Sequence, residues 1–380
     1  MNEIADDSRV RDPNPWLARE KAELIALLSL PDATTQRVGK MLALFGTPAS
    51  AWEALRNGAY DGGDPTMGDW RGEALRVEPA KIVDRLASSG IDIVARGEPG
   101  YPARLAQIHD PPYALFCRGE LPGDRVCVAI VGSRKATPYG LEVARWLARG
   151  LSDQGLSIVS GGAYGIDSEA HVGALEAGGH TCAVLGCGVD VVYPRSNAGL
   201  FKRVVEKGCL LSEYVPGTQP RPYQFPARNR VIAGLARAVV IVEASQKSGA
   251  LITADFALSE NREVLAVPGQ VLSPNSSGTH ALIRAGAALV TCPEDVLAEM
   301  GMITNPPPEA FSVENRGESL SRDERKLLEA LDGGPCDIED LARKAAFTVR
   351  LAMVTLSSLE VKGLVTRSAG ASYQKCRPRA

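Results

Sequence analysis

From residue 126 to about residue 301 the chain repeats one pattern: a short apolar run, a turn rich in Gly, Ser and Pro, and an amphipathic segment. The runs are "VCVAIVG", "LSIVSG", "TCAVLG", "CLLSEY", "AVVIVEA", "EVLAVPG" and "AALVTC", with helix-like segments between most successive pairs. Continuous apolar strands alternating with helices predict a parallel sheet, because each crossover helix lies on a sheet face and hides it from water. The expected fold class is α/β, a Rossmann-like doubly wound domain.

Most of these runs end in small or polar residues: Gly132-Ser133-Arg134, Ser160-Gly161-Gly162, Gly186-Cys187-Gly188, Ser212-Glu213, Glu243-Ala244-Ser245 and Pro268-Gly269. In a parallel sheet the C-terminal strand ends share one edge, where open α/β folds bind ligands. The stretch "VAIVGSRKATPYG" reads as strand, tight turn and helix start, with unpaired N–H groups and a positive dipole end that attract an anion. The plainer reading is that Gly132 only permits a sharp turn; Arg134 favours the anion.

Three further segments carry candidate contacts. In "SGGAYGIDSEAH", Ser160, Gly161 and Gly162 let backbone approach a ligand, and Asp167 caps the helix carrying His171 or serves as an acid or base. His171, inside a helix, reads as a packed imidazole. In "FPARNRVIAGLAR", Arg228 and Arg230 flank Asn229 at a helix start; two readings stand, bidentate phosphate donors or partners of Glu213 or Glu243. In "EASQKSGALITADFA", Lys247, Ser248 and Gly249 combine a cation, a hydroxyl and open backbone.

The flanks have a different texture. A chain of 380 residues exceeds one compact core and implies two or three domains. Residues 1–80 are expected to form a small helical, SAM-like domain: "WLAREKAELIALLSL" and "TTQRVGKMLALFG" repeat apolar residues at helical spacing, and Gly46 then Pro48 stop the second. "NGAYDGGDPTMGDW" reads as loop, and "YPARLAQIHDPPYALFCRGEL" as a connecting segment leading the 81–301 domain. Residues 302–320 are Pro-rich and polar, a linker. Over 321–380, three helical patterns and a hairpin, "LVTRSAGASYQKC", suggest a winged-helix domain.

Charge and cysteine usage narrow the chemistry. A net charge of −3 leaves room for a local basic pocket but not for a basic coat. The 8 cysteines are scattered singly with no CxxC, and 4 histidines are too few to support a zinc reading; no metal or cofactor is expected. No membrane span or export signal is apparent, and a reducing cytoplasm is the expected location. Neither GxGxxG nor GxxxxGK[ST] occurs, which argues against dinucleotide or ATP chemistry.

Taken in order, "GSR", "IVSGGAYGIDSEAH", "AVLGCGVDVVYP", "LLSEY", "FPARNRVIAGLA", "VVIVEASQKSGALITADFA" and "AVPGQ" resemble the DNA-processing protein A family, also called DprA or Smf. The resemblance covers the Rossmann-like domain, and both flanks are similar to the family's longer members. It implies a protein that binds single-stranded DNA, protects incoming strands in natural transformation and loads the RecA recombinase. It implies a homodimer through the Rossmann-like domain, and no catalysis. It implies a basic pocket around Arg134, with Gly132, Ser133, Ser160, Gly161 and Gly162 holding phosphates, joined by Arg228, Asn229, Arg230, Lys247 and Ser248. Where the family commonly has Asn after its PG turn, this chain has Thr279 and His280 in "SSGTHALI".

Physics adds that such contacts weaken with salt and select little among bases. Of the nearby aromatics, Tyr164 and Tyr223 are the expected stacking platforms, Tyr193 is a further candidate, and Phe225 is assigned to the core. The helix "TVRLAMVTLSSLEVKG" offers only Arg350 and Lys362 as cations beside Glu360, which predicts a weak DNA contact or a protein-docking role. The alternative function is a nucleotide phosphoribohydrolase using Asp167, Glu213 or Glu243. Those enzymes carry PGGxGTxxE, whereas this chain reads "EASQKSGALITA".

Overall fold

β3 (Cys127–Val131) is buried along its whole length, and its side chains alternate between two apolar clusters. This is the expected state of a strand covered on both faces. The structure, a computed structural model, describes residues 20–60, 69–302, 321–331, 336–361, 364–367 and 372–375. The 302–320 linker beyond residue 302, Lys362 and Cys376 lie outside the described residues.

Around β3 stand β4 (Ser157–Ser160), β5 (Thr181–Val184), β6 (Cys209–Ser212), β7 (Ala238–Ile241), β8 (Glu263–Ala266) and β9 (Ala288–Leu289). Every expected strand is present, although β9 keeps only 2 residues of "AALVTC". The sheet order is β1-β2-β6-β5-β4-β3-β7-β8-β9, and β3 to β9 pair in parallel with their neighbours. The chain thus moves outward from β3 to β6, then returns to lay β7 on the other side of β3. The switch point of the sheet lies between β3 and β7.

Two strands fall where a connecting segment was expected. β1 (Asp92–Ala95) and β2 (Ala114–Gly119) extend the sheet beyond β6, antiparallel. In β2 the run "ALFC" is fully buried, because an antiparallel strand at this position is still covered on both faces.

The crossovers are α7 (Pro138–Asp153), α8 (Ile166–Glu176), α9 (Ala198–Lys207), α10 (Gln224–Leu235), α11 (Gly249–Ser259) and α12 (Ser277–Arg284); α13 (Pro293–Glu299) follows β9. α7, α8 and α13 bury Leu147, Leu151, Ile166, Ala170 and Val296 against Val128 and Ile130. α10 and α11 bury Val231, Leu235, Ala250 and Ala254 against Ala129 and Val131 on the other face, where α6 (Ala103–Ala106) adds Leu105.

The chain opens with α1 (Lys21–Leu28), α2 (Thr35–Phe45), α3 (Pro48–Arg56), α4 (Trp70–Arg76) and α5 (Pro79–Ser88). Gly46 ends α2 as expected, and Pro48, expected only as part of that stop, opens α3. α4 begins inside the expected loop: Asp69 accepts from Gly72 N–H at 2.7 Å, and Trp70 Nε1–H donates to the Pro31 carbonyl at 2.8 Å. These helices share an apolar cluster with Phe116, Ala183, Leu185 and Leu210 of the sheet. The chain divides into two compact units between Thr304 and Asn305. The second holds α14 (Arg322–Ala330), α15 (Ile338–Lys344), α16 (Val349–Val361) and an antiparallel pair, β10 (Val365–Arg367) with β11 (Tyr373–Lys375).

Candidate functional site

On the C-terminal edge of the sheet, the loops after β3, β4 and β5 and the first turns of α10 surround a small hollow. Arg134 enters from the first, Gly161 and Tyr164 from the second, Gly186 and Tyr193 from the third, and Phe225 with Arg228 from α10. Arg134 is exposed and has no ion-pair partner among the described residues. Its guanidinium carbon stands 5.2 Å from the centre of the Phe225 ring, and that ring lies 5.3 Å from Tyr193. A cation stacked on an aromatic face keeps its N–H edge directed outward, ready for an oxyanion.

Phe225 is therefore a wall of the hollow and only half-buried, which corrects its assignment to the core. It stands in the first turn of α10, before Pro226, and that position turns it toward the strand ends. Tyr164 is also on the wall and 51% exposed. Tyr223 is more exposed, at 59%, but lies outside the hollow.

Arg228 is 4% exposed and faces inward. Its Nη1–H group donates to the carbonyls of Gly161, at 2.7 Å, and Val184. Burial pulls its pKa down to about 10, against the opposing field of Asp167, so it remains a cation at neutral pH. Asp167 is buried beside it; burial raises its carboxyl above the usual range while Arg228 pulls the other way. The two press on Gly161 from one side: a Cβ there would stand 2.6 Å from Arg228 Nη2 and 2.6 Å from Asp167 Oδ2. Asp167 does not cap α8, because Gly165, at φ +75°, turns the chain so that the helix starts at Ile166.

Most of the other candidates have settled partners. Arg230 is paired with Glu213, and with Asp110 at 3.4 Å; the carboxylate alternative is the one the structure contains. Burial raises the Glu213 carboxyl, with Arg230 opposing. Ser160 Oγ–H donates to Ile130 O at 2.7 Å, and Ser133 Oγ accepts from Lys135 N–H at 3.1 Å. Asn197, which the sequence reading passed over, donates to Gly162 O at 3.0 Å and fixes that loop. Asn229 donates to Gly249 O at 3.2 Å, Ser248 accepts from Ala250 N–H at 3.3 Å, and Lys247 is exposed. Gly132, Ser133, Ser160, Gly162, Asn229, Arg230, Lys247 and Ser248 are not walls of the hollow. His280 closes on the PG turn, its Nε2 3.1 Å from Gly269 O, and Thr279 donates to Ser276 O at 3.1 Å.

Glu243 is 3% exposed and accepts from Thr137 N–H at 2.9 Å and Thr137 Oγ–H at 2.6 Å. All three carboxylates a hydrolase would draw on are thus held by the chain itself. A larger cleft of about 440 Å³ lies on the opposite edge, near His180 and Lys207. The C-terminal ends of α7, α8 and α9 meet there, and negative dipole ends make it a poor anion site. Among the described residues, no cluster of three or more His, Cys, Asp or Glu could hold a metal, and no helix is long and apolar enough to cross a membrane.

The fold is a doubly wound α/β sheet, and among its strand ends it sets an exposed arginine, with no ion-pair partner among the described residues, over an aromatic ring. The family profile of DNA recombination-mediator protein A matches residues 92–301, and that of the DprA winged helix domain matches residues 312–371. The chain belongs to the DprA/Smf family. The DNA processing protein DprA of Streptococcus pneumoniae is 48% identical over 200 residues, 52% of this chain and 71% of that protein. Its X-ray structure superposes with a TM-score of 0.63 at 38% identity, covering 73% of this chain and 97% of that one. A structure of DNA processing protein A from Helicobacter pylori, described for its single-stranded DNA binding mode, has a TM-score of 0.51 at 30% identity over 56% of this chain and 96% of that one.

Proposed function

We propose that this chain binds single-stranded DNA at the hollow, without breaking bonds in it, and acts in recombination by protecting incoming strands and loading the RecA recombinase. The observation that carries the reading is Arg134: exposed, with no ion-pair partner among the described residues, and stacked on Phe225 where three strand-end loops meet α10. Its guanidinium takes a backbone phosphate, and Tyr164, Tyr193 and Phe225 offer faces to the bases. Arg228, on the wall of the hollow, acts as part of its frame, since its Nη1–H group already serves two carbonyls. Lys247 and Ser248, on the next loop, extend the phosphate track. Membership of a recombination-mediator family supports this reading, as does the binding described for the H. pylori protein. Homodimerisation, a cytoplasmic location and the division of the chain at residues 80, 301 and 320 belong to the same proposal.

The test is a salt titration of oligo-dT binding with Arg134→Ala. Loss of one phosphate contact lowers affinity and reduces the slope of log K against log salt by about 0.7. Phe225→Ala lowers affinity by about 1–3 kcal/mol with the slope unchanged, as expected for a stacking face. An Arg134→Ala protein that binds like the wild type removes the hollow from the DNA path.

A further inference from the structure

We infer that Glu243 is a specificity-determining residue: its carboxylate fills the anion seat at the sheet's switch point and keeps phosphomonoesters out of the place where open α/β folds bind them. Ligands of such folds lie in the crevice at the switch point, with phosphate against the N-terminus of the helix after the first strand. Here that crevice is between β3 and β7, and the helix is α7. Its cap, Thr137, offers a backbone N–H and a hydroxyl, and both go to Glu243 at 2.9 and 2.6 Å. Thr137 Oγ1 in turn accepts from Gly140 N–H at 3.2 Å.

The surroundings are shaped to this carboxylate. A Cβ on Gly140 would lie 2.5 Å from Glu243 Cδ, and one on Gly132 would lie 2.9 Å from the Glu243 carbonyl oxygen. Gly140 therefore makes room for the chain's own acid, and Gly132 for the backbone that carries it. The loop after β8 closes the crevice from above: the Asn275 side-chain amide donates to Lys135 O at 3.1 Å, and the Asn275 carbonyl accepts from Ala244 N–H at 2.7 Å. The neighbouring hollow has no such occupant, and Arg134 faces solvent there. A nucleotide's terminal phosphate is refused at the switch point, and a phosphodiester is taken one loop further along the edge. The destination of the DNA rests on the reading proposed above; the refusal at Glu243 stands without it.

The experiment compares full-length wild type, Glu243→Ala and Glu243→Gln by thermal unfolding against inorganic phosphate and adenosine 5′-monophosphate, with chloride at matched ionic strength as control. Glu243→Ala empties the seat, so phosphate raises its midpoint and binds at least about tenfold tighter than to the wild type, while chloride does neither. Glu243→Gln still fills the space and gains nothing. Should Glu243→Ala fail to fold, Glu243→Ser carries the same expectation. Equal phosphate shifts in wild type and emptied variants would reduce Glu243 to a helix cap and overturn the inference. Oligo-dT binding separates the two readings: a phosphate gain at Glu243 with no loss of DNA binding in Arg134→Ala would sink the proposed function alone.

Discussion

His171 has no exposed surface, and its hydrogen bonds decide its protonation state. Thr181 Oγ–H is donated to Ile158 O, so Thr181 Oγ1 accepts from His171 Nδ1–H at 2.7 Å. Nε2 is then a bare lone pair without a partner, buried near Arg228. Burial, then the Arg228 charge, pulls the imidazole pKa down to about 3 from 6.5. The unfolded chain binds a proton below pH 6.5 that the folded chain refuses. The stability this residue permits is therefore complete above about pH 6.5 and falls as pH drops toward 3, by up to about 1.4 kcal/mol per pH unit. Urea midpoints measured from about pH 7 to 4 give a shallower acid slope for His171→Gln than for the wild type; parallel curves would mean that His171 takes up its proton in the folded state. The type of residue at 171 was legible as a packed imidazole. The partners of the acids were legible only in part: Glu213 on Arg230 was one of the alternatives the sequence left open, whereas Glu243 on Thr137, 106 positions away, was not read.

At the scale of elements, β2 carries a prediction because it joins parts that look separate in the sequence. Phe116 is fully buried and lies in one cluster with Leu24 and Trp52 of the opening helices and Leu210 of β6. Phe116→Ala removes a ring that both sides pack on, at a cost of about 3–5 kcal/mol in chemical denaturation. A cost under about 1 kcal/mol would mean that the opening helices and the sheet do not share this core. The parallel strands were legible because full burial writes itself as an unbroken apolar run. β2 has such a run, "ALFC", but it sits between Pro111-Pro112 and a Gly, amid residues with no helix of their own before the next strand. Nothing local states that it pairs with β6, far along the chain, and in the antiparallel sense. The convergence of strand ends was likewise legible, since it follows from parallel pairing alone. The inward turn of Arg228 was not, because the carbonyls it serves are supplied by β5 and by the loop after β4.

At the scale of the whole chain, each unit keeps its own apolar interior. The three clusters of the first unit draw on residues no later than Met300, and the cluster of the second runs from Leu327 to Tyr373. Among the described residues of the second unit, α16 does not present the surface that duplex recognition needs. α16 exposes Val349, Met353 and Val354, and among its residues Arg350 is the sole cation. A helix that reads a major groove presents several polar or basic side chains, not an apolar face. The features proposed to meet phosphate, by contrast, belong to the first unit: Arg134, the loop at Gly161, and the aromatic wall. A chain ending at Gly301 is therefore expected to unfold in one cooperative transition and to bind oligo-dT within about threefold of the full chain, with the same salt slope. Fluorescence anisotropy over a salt series decides it: a large loss of affinity together with a lower slope would move phosphate contacts into residues 321–380, and an unchanged slope with modest loss would leave α16 a protein-docking face.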